Sequence, residues 1–140
     1  MQSSRSGITL FETIIVAAIV LVISVVTVAF LAGRRGRTEL DSATRQVAAL
    51  LREAQSRSVA GEDGVSWGVH FENSTSVAPF YSLFRAPYSP GNVITRQRLP
   101  ASMRYDSGII SQGASLDIVF AQISGLPSTS TGIGLDLVKG

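Results

Sequence analysis

The strongest constraint on this 140-residue chain is a stretch of 20 residues without a charge, at positions 13–32. As an α-helix rising 1.5 Å per residue, such a stretch spans about 30 Å, the thickness of the hydrocarbon core of a bilayer. Its many Val and Ile residues favour a helix only weakly in water, but in lipid a single segment satisfies its backbone only as a helix. The sequence therefore predicts one membrane-spanning helix near the N-terminus.

The remaining residues suffice for one small domain. Residues 38–140 carry eight Lys or Arg and nine Asp or Glu, so this part is close to neutral. A near-neutral domain lacks the basic footprint of general nucleic-acid binding. No cysteine is present, which excludes disulfides and thiolate metal sites. We expect neither a cofactor nor a metal.

A secretory signal peptide is the rival interpretation of the apolar stretch. Its apolar region usually has about 7 to 15 residues behind a basic segment. Here the stretch is longer, and only Arg5 and the amino terminus precede it as positive charges. Arg34, Arg35 and Arg37 follow the stretch; they are most simply lipid-headgroup contacts. The positive-inside rule, however, would place the chain that follows them in the cytoplasm.

Glu12 stands at the start of the apolar stretch. It is either an interfacial residue that reaches the headgroups or a favourable anion in a first helical turn. The residues alone leave both interpretations open.

The residues before the stretch read Gly7-Ile8-Thr9-Leu10-Phe11-Glu12. They resemble the processing motif of type IV prepilins, with Ile8 where Phe or Met is common. The resemblance implies that a prepilin peptidase removes residues 1–7 as a leader, cutting between Gly7 and Ile8. It also implies N-methylation of Ile8, and pairing of Glu12 with the N-terminal amine of a neighbouring subunit. Residues 8–32 would then be the transmembrane and filament-core helix.

A second periodic segment covers residues 33–60. Apolar residues recur there at three- and four-residue steps, which predicts an amphipathic helix that ends near residues 59–61. They are Leu40, Ala43, Val47, Leu50, Leu51 and Ala54.

From Val65 the apolar period changes to two, which predicts a half-buried strand over residues 65–71. Further strands are predicted over 80–85, 92–99, 116–120 and 132–138, separated by Pro and Gly. We therefore expect an α+β fold, in which the long helix packs against one small antiparallel sheet in a head over residues 61–140.

This second half resembles the pseudopilins of the GspH/FimT type. The similar residues are the helical stretch 48–58, the strand 65–69, the stretch Ile118-Val119-Phe120 followed by Gly125, and Thr131-Gly132 before Leu135. The resemblance implies a non-enzymatic subunit of a type II secretion system or type IV pilus. Such a subunit lies in the bacterial inner membrane with its head in the periplasm, and joins other pilins through its N-terminal helix. The family usually continues with a final strand after the equivalent of residues 135–138, so the head is either compact or incomplete at its C-terminal end.

Residues that could carry chemistry are few. His70 is the only histidine, and strand alternation places it opposite the Trp67 face, so we expect it to be exposed. No serine–histidine–acid set can be read. The Glu62-Asp63-Gly64 sequence predicts a turn.

Arg96, Arg98 and Arg104 form a basic stretch near Tyr105. Some FimT-like minor pilins bind DNA through arginines of the head, which makes these three candidate DNA contacts. A solvated strand is favoured, because the head is not net basic. The alternative from another class is a membrane-tethered ligand-binding or enzymatic domain, which predicts an uncut N-terminus and a deep polar pocket.

Overall fold

The computed structural model describes the backbone of residues 10–138 and the side chains of residues 10–27 and 36–138. This part of the chain is α+β, as predicted. Its regular elements are helix α1 (Leu10–Ala60) and strands β1 (Trp67–Glu72), β2 (Phe80–Arg85), β3 (Val93–Arg98), β4 (Met103–Tyr105), β5 (Ser115–Phe120) and β6 (Leu135–Leu137). Short 3-10 turns cover Glu62–Gly64, where a turn was predicted, and Pro90–Asn92.

Contacts divide the chain into two units, Met1–Arg37 and Thr38–Gly140. In the first unit, the helical segment Leu10–Thr27 has a mean hydropathy of 2.6 and none of it is buried. Ser24 and Thr27 donate hydroxyl hydrogen bonds of 2.7 Å to the carbonyls of Val20 and Ile23, one turn earlier. Polar side chains can be accommodated in an apolar helix in this way. Within the described residues, this segment is long and apolar enough to cross a bilayer.

In the second unit, one face of α1 supplies part of the core. Ala43, Val47, Leu50 and Ala54 are at most 6% exposed, and Leu40 and Leu51 pack beside them. The predicted apolar face is therefore confirmed. The helix ends at Ala60, where predicted, because Gly61 takes a left-handed conformation with φ 65°.

The main sheet is antiparallel, with the strand order β3-β2-β1-β5. Its inner face presents Trp67, Val69, Phe71, Tyr81 and Leu83 to the helix residues of the core. Its outer face contains a row that crosses all four strands in register. That row consists of Asp117, His70, Ser82 and Arg96.

A second sheet pairs β4 with β6, with Met103 opposite Leu137. The predicted antiparallel sheet is therefore confirmed for four strands, whereas the last predicted strand shrinks from residues 132–138 to Leu135–Leu137 and belongs to the second sheet. Strand β4 was not predicted, because three residues are too short to show a period of two.

Candidate functional site

The predicted processing residues Gly7 and Ile8 lie outside the described residues. Glu12 lies in the first turn of α1 as the structure describes it, and its side chain is exposed. The N-terminal end of a helix favours a negative charge, because the backbone N–H groups there have no helical partners.

The outer face of the main sheet holds a buried histidine. Expected to be exposed, His70 is instead only 3% exposed, so that prediction is wrong. Tyr88, from the segment between β2 and β3, stacks on the imidazole with ring centroids 3.7 Å apart. Strand alternation identified the correct face of β1, but it could not show that a later loop covers that face.

Both imidazole nitrogens of His70 face carboxylates. Nδ1 lies 2.5 Å from Asp117 Oδ1, and Nε2 lies 3.2 Å from Glu72 Oε2. The Asp117 contact joins β1 to the edge strand β5, whereas the Glu72 contact stays within β1.

Ser82 stands beside His70 in the cross-strand row, so a serine, a histidine and an aspartate follow one another. The sequence could not show this row, because it depends on strand register. The Ser82 hydroxyl is fully buried and has no hydrogen-bond partner, while His70 Nε2 faces Glu72. The imidazole therefore does not accept the serine proton, and the row lacks the geometry of an activated nucleophile.

The three candidate DNA-contacting arginines lie on two different sheets. Arg96 and Arg98 are on edge strand β3, whereas Arg104 is on β4. The Arg96 guanidinium lies over the Phe80 ring, 3.6 Å from its centroid. Among the described side chains, none of these three arginines has a carboxylate within 4 Å, whereas Arg57 pairs with both Glu53 and Glu62.

Two cavities open beside these arginines. The smaller has a volume of about 120 Å³ and is lined by Tyr88, Pro90, Val93 and Arg96. The larger has a volume of about 350 Å³ and includes Arg104 in its wall. Within the described residues, no group of three or more His, Asp or Glu side chains could hold a metal ion.

Two tyrosines have a perturbed acidity. Burial raises the pKa of the Tyr81 phenol and, more strongly, that of Tyr105. The Tyr105 hydroxyl is buried and donates a 2.8 Å hydrogen bond to the Phe80 carbonyl. This hydrogen bond joins β4 to the start of β2, so the Tyr105 hydroxyl has a structural role.

No protein-family model matches the chain, and neither a curated protein nor a solved structure matches it.

Proposed function

We propose that this chain is a pilin-like structural subunit, a minor pseudopilin or minor pilin of a type II secretion system or type IV pilus. The observation that supports it best is the position of Glu12. This acid lies in the first described turn of a 51-residue helix whose Leu10–Thr27 segment is otherwise uncharged. The same helix ends in an amphipathic stretch that packs on a β-rich domain.

In this proposal, prepilin peptidase cuts between Gly7 and Ile8 and leaves a new amine on Ile8. That amine is cationic at neutral pH, since an α-amino group has a pKa near 8. An unpaired carboxylate is costly among apolar helices, whereas a paired one is much less so. Pairing of Glu12 with the Ile8 amine of an adjoining subunit would therefore favour one register of assembly.

The proposed location is the bacterial inner membrane, with residues 61–140 in the periplasm and the N-terminal helix in the membrane or the filament core. The partners are the prepilin peptidase and methyltransferase, other pilins or pseudopilins, and membrane lipid. Arg37 is exposed, as a headgroup contact requires.

Assembly can be measured with Glu12→Ala and Glu12→Gln in cells that contain the parent secretion or pilus machine. Both variants should lose residues 1–7 normally but enter filaments at least about tenfold less, because the ion pair is absent. Thr44→Ala, a change at another exposed helix position, serves as the control and should assemble normally. Normal incorporation of cleaved Glu12→Ala would contradict this proposal.

A second candidate is a minor pilin that binds DNA. It is favoured by Arg96 and Arg98, which lie on one edge strand without a carboxylate partner among the described side chains. In this case the full chain in detergent should bind duplex DNA in a salt-dependent way, and Arg96→Gln with Arg98→Gln should abolish binding. Binding that is unchanged by this double substitution would exclude these arginines as the contact.

A further inference from the structure

The larger of the two cavities opens between three separate segments. It lies between the loop that follows β1, the end of β4 and the turn before β5. Its polar lining consists of Asn73, Ser74, Arg104, Tyr105, Ser107 and Gln112. Its volume of about 350 Å³ falls within the range of about 300 to 1,000 Å³ that is typical of small-molecule pockets.

The floor of the cavity is fixed by hydrogen bonds that join these segments. Asn73 Nδ2 donates to the Ile110 carbonyl at 2.8 Å, and the Asn73 backbone N–H donates to the Ala114 carbonyl at 3.0 Å. Tyr105, only 1% exposed, donates to the Phe80 carbonyl. These hydrogen bonds hold the segments that carry Asn73 and Tyr105 together before a ligand enters.

Arg104 supplies the one charge among the cavity-lining residues. Its cross-strand neighbour on β6 is Asp136, the natural partner for an ion pair. Among the described side chains, however, no ion pair joins the two, and Arg104 lines the cavity instead. Arg104 is an exposed residue that lines the cavity and has no acid within ion-pair distance among the described side chains, so it can bind a ligand that brings its own oxyanion.

The other polar residues that line the cavity indicate which kind of ligand would fit beside Arg104. Ser74, Ser107 and Gln112 offer neutral hydroxyl and amide groups, which both donate and accept hydrogen bonds. Such groups match hydroxyls better than they match an apolar body or a second charge. We propose that this cavity binds a small hydroxyl-rich ligand with one carboxylate or phosphate, such as an acidic or phosphorylated sugar unit, with Arg104 on the oxyanion.

The test is calorimetric titration of the full chain in detergent micelles with glucuronate, glucose 6-phosphate and neutral glucose. Saturable binding of at least one anionic probe and none of glucose is expected. Arg104→Gln should weaken that binding by about tenfold or more, because a charge-assisted contact is lost. Arg98→Gln removes the same charge from another sheet and should change it by less than about twofold.

Gln112→Ala provides a second variant at an exposed position and should weaken binding by about threefold. Three results would overturn the proposal: no saturable binding of either anionic probe, glucose bound as well as glucuronate, or equal losses for Arg98→Gln and Arg104→Gln. The preference between the two anionic probes distinguishes a carboxylate from a phosphate ligand. A different result would assign Arg98 and Arg104 to a nucleic-acid surface instead. In that case duplex DNA displaces the bound probe, and both arginine variants lose the same share of their DNA binding.

Discussion

At the scale of single residues, two fully buried serines differ in what their hydroxyls touch. Ser82 Oγ has no hydrogen-bond partner. Ser58 Oγ accepts the Trp67 backbone N–H at 2.8 Å, which joins the end of α1 to the start of β1. Replacement by alanine should therefore raise the free energy of unfolding at Ser82 and lower it at Ser58.

We expect Ser82→Ala to raise the free energy of unfolding by about 1 kcal/mol, because a buried hydroxyl without a partner costs about 1 to 3 kcal/mol. Ser58→Ala should lower it by about 1 to 2 kcal/mol, because the Trp67 N–H loses its acceptor. Urea unfolding of the full chain in micelles, followed by the fluorescence of Trp67, measures both. Destabilisation by Ser82→Ala equal to that by Ser58→Ala would contradict the assignment of an unpartnered hydroxyl.

His70 shows how far residue-level inference from sequence reaches. The alternation of β1 placed it correctly on the face opposite Trp67, because side chains in a strand alternate. Its burial depends on Tyr88, 18 positions later in the chain, and its acidic partner Asp117 lies 47 positions away. Neither contact has a signal within a local window of sequence.

At the scale of elements, the close packing of β1 depends on Gly68. A Cβ atom there would lie 2.7 Å from the Ile118 carbonyl oxygen and 2.9 Å from the Phe84 ring. The centre of the sheet therefore requires a residue without a side chain.

Gly68→Ala should lower the free energy of unfolding by about 1 to 3 kcal/mol, because backbone and ring must shift to admit the methyl group. Gly91→Ala is the matched control, since nothing lies within 4 Å of a Cβ there. It should change stability by less than about 0.5 kcal/mol. Similar effects of the two substitutions, measured by urea unfolding, would contradict the close approach.

The longer elements were predictable, whereas of the two three-residue strands β4 was missed and only β6 lies within a predicted strand. The apolar face of α1 and strand β2, at Phe80–Arg85, agree with the sequence prediction. The second sheet does not, because β4 and β6 have three residues each. Their pairing brings together positions 30 or more residues apart, which periodicity cannot indicate. The cavity beside Arg104 was missed for the same reason, since its lining comes from three segments.

At the scale of the whole molecule, the buried tyrosines predict sensitivity to alkaline pH. Burial raises the pKa of Tyr81 and Tyr105 above the ordinary value of about 10. Above that pH the unfolded chain loses phenolic protons that the folded chain retains, so stability falls as pH rises.

The free energy of unfolding should therefore decrease progressively above about pH 10. Tyr105→Phe should make this decrease shallower, although it also removes the hydrogen bond to the Phe80 carbonyl and so lowers stability at pH 8 by about 1 kcal/mol. Urea unfolding at pH 8, 10 and 11 measures the slope. A slope identical to that of the unsubstituted chain would show that Tyr105 does not contribute.

The proposal for the whole chain depends on conversion of the N-terminus into a charged partner for Glu12. The most direct measurement is the intact mass of the chain extracted from membranes of cells with an active prepilin peptidase. We expect loss of residues 1–7 and the gain of one methyl group on Ile8, while Gly7→Val retains the leader. Mature protein that still carries residues 1–7 in such cells would contradict the account.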